Sequence, residues 1–217
     1  MTGGCTSTEA VRMLWDIRIR MRDGIHLSAI AYIPKDNEDH RRPSIFALTP
    51  YTAQACHMYG TYFAQHGFTF LAVDVRGRGN SEGTFNPFRQ EAADGFDVAE
   101  WVVTQPFCDG QVAMWGGSYL GFCQWVTAAE RPPGLATIVP IASPYIGVDF
   151  PARGNIMPTY LIQWLTLVAG RTSQDKMFWN SELFWGAKFR RWFESGNAFN
   201  ALETMFDSAS PDRKSVV

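Results

Sequence analysis

From residue 13 the stretch MLWDIRIRM sets Met13, Trp15, Ile17, Ile19 and Met21 at alternate positions, the two-residue period of a strand with one apolar face. RDG then marks a turn, and IHLSAIAYI resumes the alternation through Ile25, Leu27, Ala29 and Ala31, which predicts an opening β-hairpin. After the polar loop PKDNEDHRRP the pattern changes to short, nearly continuous apolar runs at 44–49, 68–75, 111–115 and 135–142. Such runs suit strands covered on both faces. Helical spacing lies between them, near 58–66, 90–104 and 119–130, so strands alternate with helices and the expected core is an α/β, mostly parallel sheet. The strand signal stops near Tyr145. The segment 158–206 is helix-like and aromatic, with four of the eight tryptophans, and SPDRKSVV forms a polar tail. The expected division is a core over 1–145 and a helical region over 146–217.

Composition narrows the function. With 46% hydrophobic residues, 18% charged residues and a net charge of −2, the chain has no field for gripping nucleic acid or an anionic membrane. The first residues, MTGGCTSTEAVRMLWD, show no basic region followed by an apolar run, and nowhere do eighteen apolar residues stand together. The expectation is a soluble, cytosolic chain with no nucleic-acid or membrane partner. Cys5, Cys56, Cys108 and Cys123 show no CxxC spacing and no Cys/His cluster has metal-ligand spacing, so buried thiols are expected and neither a metal nor a cofactor.

The stretch QVAMWGGSYLGFCQW joins an apolar run to a helical pattern, with Ser118 at the hinge. A strand that stops abruptly before a helix forces such a serine into a strained conformation that exposes its oxygen, the nucleophile elbow. The usual pattern has a small residue two positions after the serine; here that place is Leu120, with Gly121 one further on. The alternative is an N-cap serine after a Gly-Gly turn. LTPYTAQ follows the first of the parallel-type runs, so Tyr51 leaves a strand end on the same edge as Ser118. Its hydroxyl and the backbone N–H of Tyr119 would make two donors for an oxyanion; alone, a tyrosine after proline is a packing residue. VDVRGRGNSEG is glycine-rich after a strand, but Gly77, Gly79 and Gly83 are spaced one residue too long for GxGxxG and no helix opens behind them. A loop buttressing the active edge, with Asp74 and Arg76 as a polar pair, is the expectation.

Together RDGIHLSAIAYIP, TPY, VDVRGRGNSEG, EAADGFDVAEWV and PFCDGQVAMWGGSYLG resemble the N-terminal part of the Xaa-Pro dipeptidyl-peptidase-like hydrolases, the cocaine esterase-type group, over residues 16–150. The resemblance implies an α/β-hydrolase fold with a helical cap after the sixth strand and a C-terminal jelly roll. It also implies Ser118 as nucleophile, Tyr51 as oxyanion-hole hydroxyl and the Tyr119 N–H as oxyanion donor. In that family the triad acid and histidine follow the cap.

His26, His40, His57 and His66 all precede Ser118, whereas α/β-hydrolases order the triad serine, acid, histidine. His57 alone lies near the active edge, and no carboxylate is placed to orient it; His66 reads as a helix C-terminal cap. Asp149, Asp175 and Asp207 are not distinguishable from surface charges. Two readings follow: a truncated serine hydrolase acting on an ester or amide bond of a small-molecule or short-peptide acyl substrate, or a non-catalytic binding protein. Ending after six strands would leave an apolar sheet edge, inviting self-association. Trp164, Trp179, Phe184, Trp185, Trp192 and Phe193 are expected on the inner face of the helical region.

Overall fold

A computed structural model describes residues 11–35, 40–148, 150, 158–173 and 182–196. The chain divides into two compact units, Met1–Tyr145 and Ile146–Val217. The first is built from β1 (Val11–Arg20), β2 (His26–Pro34), β3 (Arg42–Thr49), a 3-10 turn (Ala53–Cys56), α1 (His57–Gln65), β4 (Thr69–Asp74), α2 (Glu91–Val103), β5 (Cys108–Gly117), α3 (Tyr119–Ala129) and β6 (Leu135–Ile141). The sheet order is β1-β2-β4-β3-β5-β6. β1, β2 and β4 pair antiparallel, and β4, β3, β5 and β6 pair parallel. This is the α/β-hydrolase fold: an antiparallel hairpin leading into a parallel sheet.

The apolar runs become strands because both faces are covered. Every residue of β4 is buried. On one face Ile30, Tyr32, Ile45, Ala47, Phe70 and Ala72 form a cluster with Ala64 of α1. Phe46, Leu48, Leu71, Val73 and Met114, alternating with them, are also buried, on the face that α2 and α3 cover. Each such side chain contributes about 1.5–3 kcal/mol when fully buried.

Two strands depart from the sequence pattern. In β1 the register slips between Leu14 and Ile17, where one extra residue stands against β2, and Asp16 adopts φ 54°. Met13 therefore opposes Tyr32, while Ile17 and Ile19 oppose Ala29 and Leu27 on the other face; the expected single face is split by a β-bulge and Trp15 is left 59% exposed. The apolar run of β6 was read as covered on both faces, yet on this last strand of the sheet, the edge expected after six strands, Val139 and Ile141 are each 47% exposed.

In the second unit α4 (Thr159–Leu167) buries Leu161, Ile162 and Trp164, and α5 (Glu182–Glu194) buries Trp185 and Trp192. Ile162, Trp185 and Trp192 form a cluster with Phe184 and Phe189 against it. Phe193 is not on this inner face; it is 65% exposed and stacks on Trp192 with ring centroids 5.2 Å apart. Trp179, Asp149, Asp175, Asp207 and Cys5 lie outside the described residues. Among the described residues no helix is long and apolar enough to cross a membrane.

Candidate active site

β5 ends at Gly117 and α3 begins at Tyr119, so Ser118 alone makes the turn. Its backbone has φ 57° and ψ −123°, the values of the first central residue of a type II′ turn, a position that favours glycine. A side chain there costs about 1–3 kcal/mol and persists only when its surroundings enforce it. The Ser118 N–H donates to the Ile141 carbonyl at 2.8 Å, and the Ser118 carbonyl accepts from Gly121 and Phe122 at 2.9 and 3.1 Å. Ser118 occupies the N-cap position, but its hydroxyl makes no capping bond and the residue is exposed. The capping reading of this serine therefore has no bond to rest on.

The irregular elbow pattern has a packing explanation. Gly116 adopts φ 143°, and a Cβ there would meet Leu120 Cβ at 2.6 Å and Cδ2 at 2.7 Å. Leucine is tolerated two positions after the serine because glycine stands two before it. Gly121 takes up the remaining need for smallness, since a Cβ there would meet Ser143 Cβ at 2.9 Å. Beneath the turn, fully buried Gln124 donates to the carbonyls of Gly116 and Leu120 at 3.0 and 3.1 Å and accepts the Val139 N–H at 2.8 Å. One side chain thus ties β5, α3 and β6 together.

Tyr51 follows β3, the parallel neighbour of β5. Phe46 is level with Met114, so Thr49 and Gly117 end the two strands together and both residues leave the same sheet edge. The loop after β3 runs to α1 while that after β5 runs to α3, which makes this pair of strand ends a switch point of the kind where α/β sheets bind ligands. Tyr51 is half-buried, donates its N–H to Thr49 Oγ1 at 3.0 Å, and packs against the cluster that includes Ala53, Cys56 and Leu120.

Tyr119 is the first residue of α3, where backbone N–H groups point out of the helix. Its side chain has a role that the motif did not reveal. The buried hydroxyl donates to Glu91 Oε1 and accepts the Phe88 N–H at 3.0 Å, and the ring lies 4.8 Å from Phe88. Burial raises the Tyr119 hydroxyl and Glu91 carboxyl above their ordinary values. The pair anchors the loop before α2 to the elbow.

The glycine-rich loop differs from expectation in its pairing. Arg76 binds Asp94 at 2.8 and 2.5 Å and Asp23 at 2.7 Å, not Asp74. Asp74 points inward instead, beside Arg78, because the acids on α2 and the hairpin turn offer Arg76 partners nearer the surface. Burial pushes Asp74 up to about 6 and Arg78 down to about 10.

Among the described residues no hydrogen bond joins Ser118 to a histidine. His26 Nδ1 lies 3.3 Å from Glu82 Oε2, and His66 Nδ1 lies 2.7 Å from the Tyr62 carbonyl at the end of α1, the capping place read from the sequence. His57 is exposed, its ring 5.7 Å from that of Tyr32.

Residues 23–207 match the X-Pro dipeptidyl-peptidase family S15. Cocaine esterase of Rhodococcus sp. is 31% identical over 162 residues, which are 70% of this chain and 28% of that protein. An aminopeptidase from a marine sediment Thaumarchaeota archaeon superposes with a TM-score of 0.70 at 22% identity, over 93% of this chain and 37% of its own. An α-amino acid ester hydrolase does so with a TM-score of 0.66 at 20% identity, over 95% and 40%. The chain thus spans about a third of the length of these relatives. With the family model covering most of its length, the chain belongs to the S15, X-Pro dipeptidyl-peptidase family.

Proposed function

We propose that this chain carries the nucleophile and oxyanion donors of a serine hydrolase that cleaves an ester or amide acyl bond of a small molecule or short peptide. Ser118 Oγ attacks the acyl carbonyl carbon as a base takes its proton. The Tyr51 hydroxyl and the Tyr119 N–H donate to the resulting oxyanion; the leaving group departs with a proton, and water then releases the acyl group from Ser118. The observation that carries this reading is the strained, uncapped Ser118 at a sheet switch point. The S15 family match supports the reaction class, and the cocaine esterase likeness supports an ester among the substrates. Among the described residues no histidine is hydrogen-bonded to Ser118, and His57 is the one nearest in sequence to Tyr51. β6 is also a surface for self-association, since Val139 and Ile141 are exposed on the last strand.

The test is hydrolysis of p-nitrophenyl butyrate and of an Xaa-Pro p-nitroanilide by residues 1–217 and by Ser118→Ala, with the solution size recorded. Losing a triad member costs on the order of 10⁴ to 10⁶ in turnover, so turnover near background in a self-associating protein is expected. A monomer with Ser118-dependent multiple turnover would contradict that expectation, and His57 would be the first residue to replace.

A further inference from the structure

The segment VDVRGRGNSEG takes no part in the chemistry above, yet it buries two charged residues. Asp74 is 2% exposed and Arg78 is 0% exposed. Buried charges are costly unless paired and hydrogen-bonded. Both groups reach the same short loop. Arg78 Nε donates to the Pro50 carbonyl at 2.7 Å, and Asp74 Oδ1 accepts the Ala53 N–H at 2.6 Å. Pro50 and Ala53 bracket Tyr51 and Thr52. Thr52 has φ 77° and ψ 142°, a positive φ on a β-branched residue, and such strain persists only where surrounding contacts over-determine it. Gly79 makes the arrangement possible, because a Cβ on it would collide with the Asp74 carboxylate. Ser81 closes the loop, donating to the Asp74 carbonyl at 2.7 Å and accepting the Ser28 N–H at 2.8 Å.

We infer that Asp74 and Arg78 are positioning residues that fix Tyr51 as an oxyanion donor by clamping the backbone on both sides of it, an inference that rests on the proposed role of Tyr51. Neither residue is assigned a contact with substrate. An oxyanion donor acts only within about 2.7–3.1 Å of the developing charge, and a displacement of about 1 Å can cost a hundredfold in rate. A tyrosine on a loop needs such an external hold, and the end of β4 supplies it.

The test uses the 217-residue chain labelled with 3-fluorotyrosine, the Tyr51 resonance being assigned by its loss in Tyr51→Phe. In Arg78→Met the Tyr51 resonance is expected to shift or broaden while those of Tyr32 and Tyr119 stay in place, and amide exchange at Ala53 to quicken about 10- to 100-fold. Arg78→Lys, which keeps the charge on a shorter contact, should restore part of both signals. Gly79→Ala, which displaces the Asp74 carboxylate, should reproduce the loss, and it carries the comparison if Arg78→Met does not fold. A folded Arg78→Met or Gly79→Ala chain with Tyr51 and Ala53 unmoved overturns the clamp. These readouts need no turnover, so they decide the clamp even if Ser118 proves not to be a nucleophile. Wherever Ser118-dependent turnover is measurable, Tyr51→Phe and Arg78→Met should each lower kcat by about 10²–10³ with little change in KM, and the double variant should lose no more than either. Additive losses would overturn positioning through Tyr51.

Discussion

Replacing Ser118 by glycine and by alanine separates backbone strain from side-chain chemistry. The backbone at φ 57° and ψ −123° charges any residue with a Cβ about 1–3 kcal/mol. Glycine escapes that cost but loses about 0.5–1 kcal/mol to its greater freedom in the unfolded chain. The exposed hydroxyl makes no capping bond, so Ser118→Ala should change stability by less than about 0.5 kcal/mol. Ser118→Gly should then be more stable than Ser118→Ala by about 0.5–2 kcal/mol. Urea unfolding followed by tryptophan fluorescence measures the difference, provided the two m-values agree. Glycine less stable than alanine by its ordinary penalty would refute the elbow strain, and with it the observation that carries the proposed function.

Gly116→Ala should cost about 2–5 kcal/mol from strain at φ 143° and overlap with Leu120; Leu120→Ala in the same chain should recover about 1–3 kcal/mol of coupling in a double-mutant cycle, and simple additivity would count against the packing described. Asp74 rises from 3.8 to about 6 through burial, so the folded protein holds this proton where the unfolded chain has lost it, and stability falls as pH rises from about 4 through 6. Two pKa units correspond to about 3 kcal/mol, so Asp74→Asn should gain about that much on the unsubstituted chain between pH 4 and pH 7 in denaturant titrations; a constant difference would contradict this. Gln124→Leu strips three buried hydrogen bonds around the elbow and should cost at least about 2 kcal/mol in thermal unfolding, with Gln124→Glu no better because its carboxylate would face two carbonyls.

The parallel strands were legible because their apolar runs are short, bounded by glycine and proline, and buried on both faces, so β3, β4 and β5 follow the pattern closely. β1 was misread where a bulge at Asp16 shifts the period by one, an event that alternation counted along a single strand does not register. β6 carries the same apolar signature as its neighbours, and only its place at the end of the sheet leaves it exposed. The places of Ser118 and Tyr51 just past the ends of β5 and β3 were legible because each stands at the junction of a strand pattern with a turn. The residues that hold them were less so. Arg78, Glu91 and Gln124 act through pairings 28, 28 and 15 residues apart in sequence, and a polar residue in a loop or helix looks the same whether it faces water or a buried carbonyl. The doubled RGRG was the one available signal, and of its two arginines the first was paired with Asp74, although it is the second that turns inward beside it.

The most direct measurement is the site of covalent modification by a fluorophosphonate. After prolonged incubation of the 217-residue chain with excess reagent, peptide mass spectrometry should place a single adduct on Ser118, absent from Ser118→Ala and markedly reduced in Tyr51→Phe. An adduct on another residue, or labelling that persists in Ser118→Ala, would contradict Ser118 as the nucleophile.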